Sequence, residues 1–468
     1  LLLLFLVCSL SAQITAVESS LRPDIIVAGT PLWSLDERMR HYQAPGLSIA
    51  VVDDFALVAA KGYGRKHVDQ LAPVDTETNF QAASISKLVN AVGIMRLVEA
   101  GLLDLDRDVN DYLTSWKVLP SPDFSDARIT VRMLLAHTAG LTTHGFGGYK
   151  TGNDLPAAID ILDKAPGVNS DKVRIFQEPG TAFKYSGGGT TITQLLIEDL
   201  TGLPYPQYMQ EQVLQPLGMT NSFYSVNQAS KENHLATAHL GNGKALKNNY
   251  QHYPESAAAG LWTTPSDLAK AMIDLMLAMR GDEDRLLNPT TVRAMTVSPT
   301  ENGGNGLGMF LEPKGDQIYF NHGGSNRGFR AMFIGNTTSG DGAVVMVNSS
   351  QFDLIPEVLN AVAQTYAWPG WLGPNSTIPG DFTPDKSTWK DHEGHYVSEA
   401  DGKTFFDIKL KKGRLLISRA KAWKLPLTPL SEARFAIKGA NPAGTVAILG
   451  DGRIEVTQLE ETTVFRKE

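Results

Sequence analysis

Cysteine is almost absent from this 468-residue chain, with Cys8 as the single example. Beyond that position no disulfide, thiolate nucleophile or Cys-based metal site can be built. Histidine is also sparse, ten in all, and His144, His239 and His252 lack the His-x-x-x-His spacing of a zinc site, so no metal is expected. No run of Lys and Arg is long enough to track a phosphate backbone. With 42 basic against 50 acidic side chains the formal charge is -8, and nucleic acid is excluded as an expected partner. Long apolar runs are missing as well. The stretch Leu1 to Leu10 is half the roughly 20 residues that a membrane span needs, so no stable span is expected. Residues 1–12, with small residues at Ser9, Ser11 and Ala12 before polar Gln13, read as the remnant of a secretory signal peptide, which implies a secreted or periplasmic protein.

What is present is the composition of a folded globular protein, 42% apolar, 20% charged and 8% aromatic. One hydrophobic core supports roughly 250 to 300 residues, so at least two domains are expected. Apolar strands at Pro45 to Val52 and Ala56 to Gly64 flank an Asp53-Asp54 turn. From Ser84 to Val98 the chain is apolar nearly all round and stops at Gly101, the pattern of a buried helix. Helical periodicity recurs at Val131 to His137, Thr190 to Leu200 and Asp267 to Met279, and short strands at Arg330 to Ile334 and Ala343 to Val347. These patterns place a first, mixed domain at 25–365. Prolines 369, 374, 379 and 384, with interspersed glycines, make 366–385 a linker. Alternating segments at Phe405 to Leu410, Arg414 to Ser418, Thr445 to Leu449 and Ile454 to Leu459, with turns at Lys412-Gly413 and Asp451-Gly452, predict a small antiparallel barrel over 386–468.

The chemistry starts at Ser84-Ile85-Ser86-Lys87. Residues three apart share a helix face, so the Ser84 hydroxyl and the Lys87 amine are within reach of each other. Desolvating Lys87 would let it take the serine proton and turn a weak alcohol into a nucleophile. A solvated, capped helix start explains the same residues, but a lysine opening so apolar a helix is costly to bury without a role. Tyr185 follows a Pro179-Gly180 turn and precedes Gly187, Gly188 and Gly189, which lets the backbone approach a neighbour closely and aim the phenol inward. Flanked by Lys87, it can act as base or as proton donor to the leaving group. His322 precedes Gly323 and Gly324, which allow a strand to approach a ligand. A hydrogen-bonded core tyrosine and a structural histidine are the competing readings. His137 reads as structural, and Trp262 with Gly145, Gly147 and Gly148 as core and loop.

At these residues the chain resembles the serine hydrolases related to penicillin-binding proteins, class C β-lactamases and family VIII esterases. The likeness covers about Pro45 to Val347 in seven ordered segments: PGLSIAVV at Pro45, FQAASISKL at Phe80, LLAHTAGL at Leu134, EPGTAFKYSGGG at Glu178, PLGMTNS at Pro216, AAGLWTTPSDLAK at Ala258 and NHGGSNRGF at Asn321. The resemblance implies an α/β (α+β) fold, an antiparallel sheet flanked by helices with a helical lobe, and a lipocalin-like C-terminal barrel serving gating, dimerisation or cell-wall binding. It puts the first motif on Ser84 and Lys87, the second on Tyr185-Ser186-Gly187 and the third on His322-Gly323-Gly324. Catalytic roles then fall on Ser84, Lys87, Tyr185 and His322, an oxyanion hole on the backbone N–H groups of Ser84 and Ser325, and substrate contacts on Gly187, Gly323, Gly324 and Arg327. No metal or organic cofactor is implied.

Two departures shape the expected substrate. Gly187 stands where the family often carries an Asn that recognises the substrate's acyl amide, and His322 where many penicillin-binding members have a lysine. The fixed cation for a substrate carboxylate is thereby missing, unless Arg327 or Arg330 supplies it. The expectation is hydrolysis of an ester, or of an amide or peptide without a free carboxylate, through an acyl-enzyme on Ser84. Penicillin-binding or β-lactamase activity, a D-amino-acid-specific peptidase, an acyltransferase and a slow acyl-binding protein are the alternatives. A homo-oligomer is compatible with all of them.

Overall fold

The computed structural model describes residues 12–23, 25–224, 234–300, 304–371, 376–379, 382–419, 423–437, 444–458 and 461–468. Most of the signal-peptide expectation at 1–12 therefore lies outside the described residues. The chain forms two units, one of Leu1–Ser19 with Ser34–Trp371 and one of Ser20–Trp33 with Leu372–Glu468.

The first unit is organised by a six-stranded antiparallel sheet. Its strands are β1 (Gly46–Asp53), β2 (Ala56–Gly64), β3 (Phe310–Lys314), β4 (Gln317–Asn326), β5 (Phe329–Asn336) and β6 (Gly342–Val347), in the order β2-β1-β6-β5-β4-β3. All six residues of β6 are buried. Because successive side chains on a strand point to opposite faces, both faces of the sheet are covered there. Two helices packing against β6 are α5 (Pro265–Arg280) and α6 (Leu354–Thr365). The α5 N-terminus is set by Thr264, whose hydroxyl accepts the Asp267 N–H at 3.2 Å, with Pro265 in the first turn. Helix α1 (Leu35–His41) is tied to α6 by a buried ion pair, in which Arg38 engages both carboxyl oxygens of Glu357 and the Tyr42 hydroxyl donates to the same carboxylate at 2.6 Å.

The apolar segment after Ser84 is the buried helix that its composition predicts. Helix α2 (Ser86–Glu99) buries 11 of its 14 residues, and its polar Asn90 is satisfied by Thr193 and Tyr205. It packs against α3 (Gly187–Thr201) and α4 (Ser256–Ala259), the helical side of the unit.

The second unit is a closed antiparallel barrel of eight strands, β7 (Gly394–Ser398), β8 (Phe405–Lys411), β9 (Arg414–Arg419), β10 (Trp423–Pro429), β11 (Arg434–Ile437), β12 (Gly444–Leu449), β13 (Arg453–Gln458) and β14 (Glu461–Lys467), closed by pairing of β7 with β14. The Lys412-Gly413 turn has both φ angles positive, 51° and 71°, as a two-residue hairpin loop requires. Residues 25–33, expected with the first domain, group with this unit instead. Ile25–Val27 pairs in parallel with Ser376–Ile378, and Leu21 bridges to Trp33, so main-chain hydrogen bonds outweigh sequence proximity.

Candidate active site

Ser84 lies in a short 3-10 turn, Ala83–Ile85, immediately ahead of α2. Ala83 has φ 51°, a left-handed conformation that costs a non-glycine residue on the order of 1 kcal/mol or more. The turn is pinned from two sides. The Ser86 hydroxyl donates to the Ala83 carbonyl at 2.6 Å and accepts the Leu261 N–H at 3.1 Å. On the other side β4 comes so close that a Cβ at Gly324 would lie 2.2 Å from the Ala82 carbonyl oxygen. The Gly323-Gly324 pair thus divides its work. Gly324 admits the backbone that precedes Ser84, whereas a Cβ at Gly323 would meet only Met332 Cε, at the ordinary contact distance of 3.6 Å.

Lys87 is 4% exposed and makes no ion pair among the described residues. Its ammonium donates to Ser84 Oγ at 3.1 Å and to the Ala258 carbonyl at 2.7 Å, and lies 5.0 Å from the centre of the Tyr185 ring, within cation–π range. The Ser-x-x-Lys spacing therefore delivers the predicted contact. The backbone carbonyl that completes it leaves no side-chain trace in sequence.

Tyr185 is half-buried in an aromatic cage. Its ring is 4.3 Å from His137, 4.9 Å from His144, 6.3 Å from His322 and stacked at 6.2 Å on Phe310. Phe183, exposed beside it, packs on both His137 and Phe310. The three imidazoles are all held neutral near pH 7. For His322 burial is the first cause and the Lys87 charge the second, and together they push its pKa down to about 3. Its Nδ1 lies 2.8 Å from the Gly323 carbonyl, which only accepts, so Nδ1 carries the proton and Nε2 is an acceptor. His137 is driven well below its ordinary value by burial, then Lys87, and its Nδ1 accepts the Ser186 N–H at 3.3 Å, the backbone-satisfying role expected of it. His144 is lowered by partial burial, Lys87 and Lys184. One lysine therefore stands among three uncharged rings.

The second motif continues into α3. Ser186 caps that helix, its hydroxyl accepting the Gly189 N–H at 2.9 Å and donating to the Thr142 carbonyl at 2.7 Å. The Gly187 and Gly188 N–H groups donate at 3.1 Å to the carbonyls of His144 and Thr143. A Cβ at Gly187 would lie 2.8 Å from Phe146 Cε2 and 3.1 Å from the His144 oxygen. The space of the side chain missing at Gly187 is thus taken by the 143–146 loop.

At the end of β4, Ser325 and Arg327 are exposed, and the Arg327 N–H donates to the Tyr253 hydroxyl at 3.0 Å. Arg330, weighed with Arg327 as a carboxylate partner, is committed elsewhere. Its Nη1 donates to the carbonyls of Asn326 and Phe329, both at 2.7 Å. Sequence reasoning did not find His144, Phe183 or Phe310, whose signal was present only as aromatic residues scattered through two loops and a strand.

Residues 34–365 match the family model described as Beta-lactamase, and the chain belongs to that family of serine hydrolases. Protein flp of Staphylococcus aureus (strain N315) is 24% identical over 332 residues, which are 69% of this chain and 64% of that protein. The chain thus spans a little under two thirds of that relative's length. Among solved structures, the octameric penicillin-binding protein homologue from Pyrococcus abyssi superposes with a TM-score of 0.63 at 22% identity, covering 92% of this chain and 98% of that one. The D-amino acid amidase from Ochrobactrum anthropi SV3 gives 0.58 at 20% identity, over 76% and 99%. At these identities the two structures share the fold with this chain.

Proposed function

We propose that this protein hydrolyses an ester or amide bond by forming an acyl-enzyme on Ser84, with uncharged acyl groups as its preferred substrates. The observation that carries the reading is the 3.1 Å contact between Lys87 Nζ and Ser84 Oγ, inside a buried site where Tyr185 stands over the same lysine. In this mechanism the Lys87–Tyr185 pair, with one of its two members deprotonated, takes the Ser84 proton as Oγ attacks the acyl carbon, and returns it to the leaving group. The N–H groups of Ser84 and Ser325 take the negative charge that builds on the carbonyl oxygen, where one donor is worth about 2.7 to 4 kcal/mol. Water then attacks the ester on Ser84, its proton following the same route.

Three features favour uncharged substrates. His322 is neutral, Arg330 is spent on backbone carbonyls, and Phe183 and Phe310 offer an apolar rim beside Tyr185. The filled space at Gly187 leaves no side-chain amide to recognise an acylamido group. One fold neighbour is named as a D-amino acid amidase, so amino acid amides belong in the first substrate panel beside simple esters. The test is a burst assay with p-nitrophenyl butyrate and nitrocefin in parallel, followed by intact mass, with Ser84→Ala as control. Ester turnover with an adduct lost in the variant is the expected result. Nitrocefin turnover exceeding ester turnover would replace this reading with a β-lactamase.

A further inference from the structure

One buried titratable group has no part in that mechanism. Glu255 is 0% exposed, neither of its carboxyl oxygens has a hydrogen-bond partner on another residue, only its own backbone N–H bears on the carboxylate, and it makes no ion pair among the described residues. A carboxylate enclosed in this way has little compensation, and the neutral acid is the form such surroundings accept. Burial accordingly raises its pKa to about 7. The titratable groups facing it are the phenols of Tyr149 and Tyr253, both raised in turn, chiefly by their own burial. From α3 the neutral amide of Gln194 packs on the same turn, donating to the Pro254 carbonyl at 3.4 Å and accepting the Ala257 N–H at 3.2 Å.

The position of Glu255 gives this protonation a consequence. Its backbone carbonyl accepts the N–H groups of Ala258 and Ala259 at 3.0 and 2.9 Å, and so forms the α4 turn. That turn presents the Ala258 carbonyl to Lys87 Nζ at 2.7 Å and the Ala259 carbonyl to Asn326 Nδ2 at 3.1 Å, and leads directly into Leu261, whose N–H reaches Ser86. Resting on the reading of Lys87 as part of the catalytic pair, we propose that Glu255 is a positioning residue. As the neutral acid it lets the α4 turn close on Lys87, and on ionising it draws water toward its carboxylate and displaces that turn.

The sign follows from linkage. The folded-state pKa lies above the ordinary value of 4.5, so the stability this group contributes is complete below pH 4.5 and is lost as pH rises through about 7. Activity should therefore carry an alkaline limb set by a residue remote from the reacting atoms.

The experiment compares the full-length protein with Glu255→Gln across pH 5 to 9.5, reading kcat and KM for p-nitrophenyl butyrate, and reads Tm for the same pair in a Ser84→Ala background. The expected kcat of the Gln variant is within about threefold of the parent at pH 5.5 and about three- to tenfold above it at pH 8.5, with KM alike. The Tm gap in favour of Gln should widen as pH rises. Glu255→Met removes the titration without adding amide donors and should show the same pH trend if the Gln variant does not fold. Superimposable kcat and Tm profiles would overturn the proposal. So would a folded Gln variant inactive at pH 5.5, which would make the carboxyl a reactant. Full turnover by Ser84→Ala would instead sink the reading of the site, a separate outcome from any change at Glu255.

Discussion

The two units differ most in what they bury. The first unit encloses Lys87, His137, His322, Glu255 and the Arg38–Glu357 pair beside its apolar core. The barrel encloses Trp389, Tyr396, Phe406, Phe435, Phe465 and aliphatic residues, and no charged side chain is buried in it among the described residues, its buried polar groups being the hydroxyls of Tyr396, Ser398 and Ser418. Buried ionisable groups oppose stability unless partnered, so a unit that retains several of them has a use for their chemistry. The barrel interior is filled by side chains, as small closed barrels usually are. Buried ionisable groups thus concentrate in the first unit, while the barrel core is almost entirely apolar and aromatic.

The largest expected effect separates them cleanly. Ser84→Ala should lower ester turnover by about 10⁴- to 10⁶-fold and abolish the acyl adduct in intact mass, with no change in barrel stability. Next come the proton-handling residues. Tyr185→Phe and Lys87→Met should each lower kcat by about 10²- to 10⁴-fold while KM changes little. If one of them costs less than tenfold in a stopped-flow acylation assay, the other is the base.

The converse experiment acts on the barrel. Phe435 is fully buried and packs edge-on against Trp389. Phe435→Ala should cost the barrel about 3 to 5 kcal/mol, seen as a lowered transition in calorimetry, while kcat for p-nitrophenyl butyrate at 25 °C is unchanged. A parallel loss of kcat would break the division of labour and assign the barrel a part in turnover.

A smaller effect tests the neutral imidazoles. With His322 at about 3 in the folded chain and at its ordinary 6.5 when unfolded, the unfolded state takes up a proton that the native state refuses. Stability should fall as pH drops from 6.5 toward 3 and should be unaffected by this group above 7. His322→Gln should make the slope of Tm against pH shallower by up to one proton per molecule in that window, measured in the Ser84→Ala background.

Much of this was legible in sequence because it depends on local pattern. The β1–β2 hairpin, the buried α2 helix and the strands after Phe405 follow from period and turn residues, and the Ser84–Lys87 contact follows from helix geometry. Four barrel strands were not anticipated: β7, β10, β11 and β14. In β10 Pro426 interrupts the strand signal, yet the strand forms because its neighbours close the barrel around it. The site was half legible. Motif residues carried their own signal, but the Ala258 carbonyl, the His144 loop and the Phe310 stack are brought together by long-range packing, and Glu255 is conspicuous only once its burial is known.

The smallest effect refines where the site ends. At Gly187 a methyl group alone would stand 2.8 Å from Phe146 Cε2, so Gly187→Ala should destabilise the first unit by about 1 to 3 kcal/mol. If the 143–146 loop is what replaces the absent side chain, Phe146→Ala should recover most of that loss in a double-mutant cycle, since the two residues contest one volume. The same double background provides room for an Asn at 187. Gly187→Asn with Phe146→Ala should then raise kcat/KM for acylamido esters relative to simple acyl esters, because an amide donor is restored where the loop had excluded one. A ratio that stays fixed would mean that substrate discrimination resides in the neutral third-motif histidine and the aromatic rim, and that the glycine is there for the packing of the loop alone.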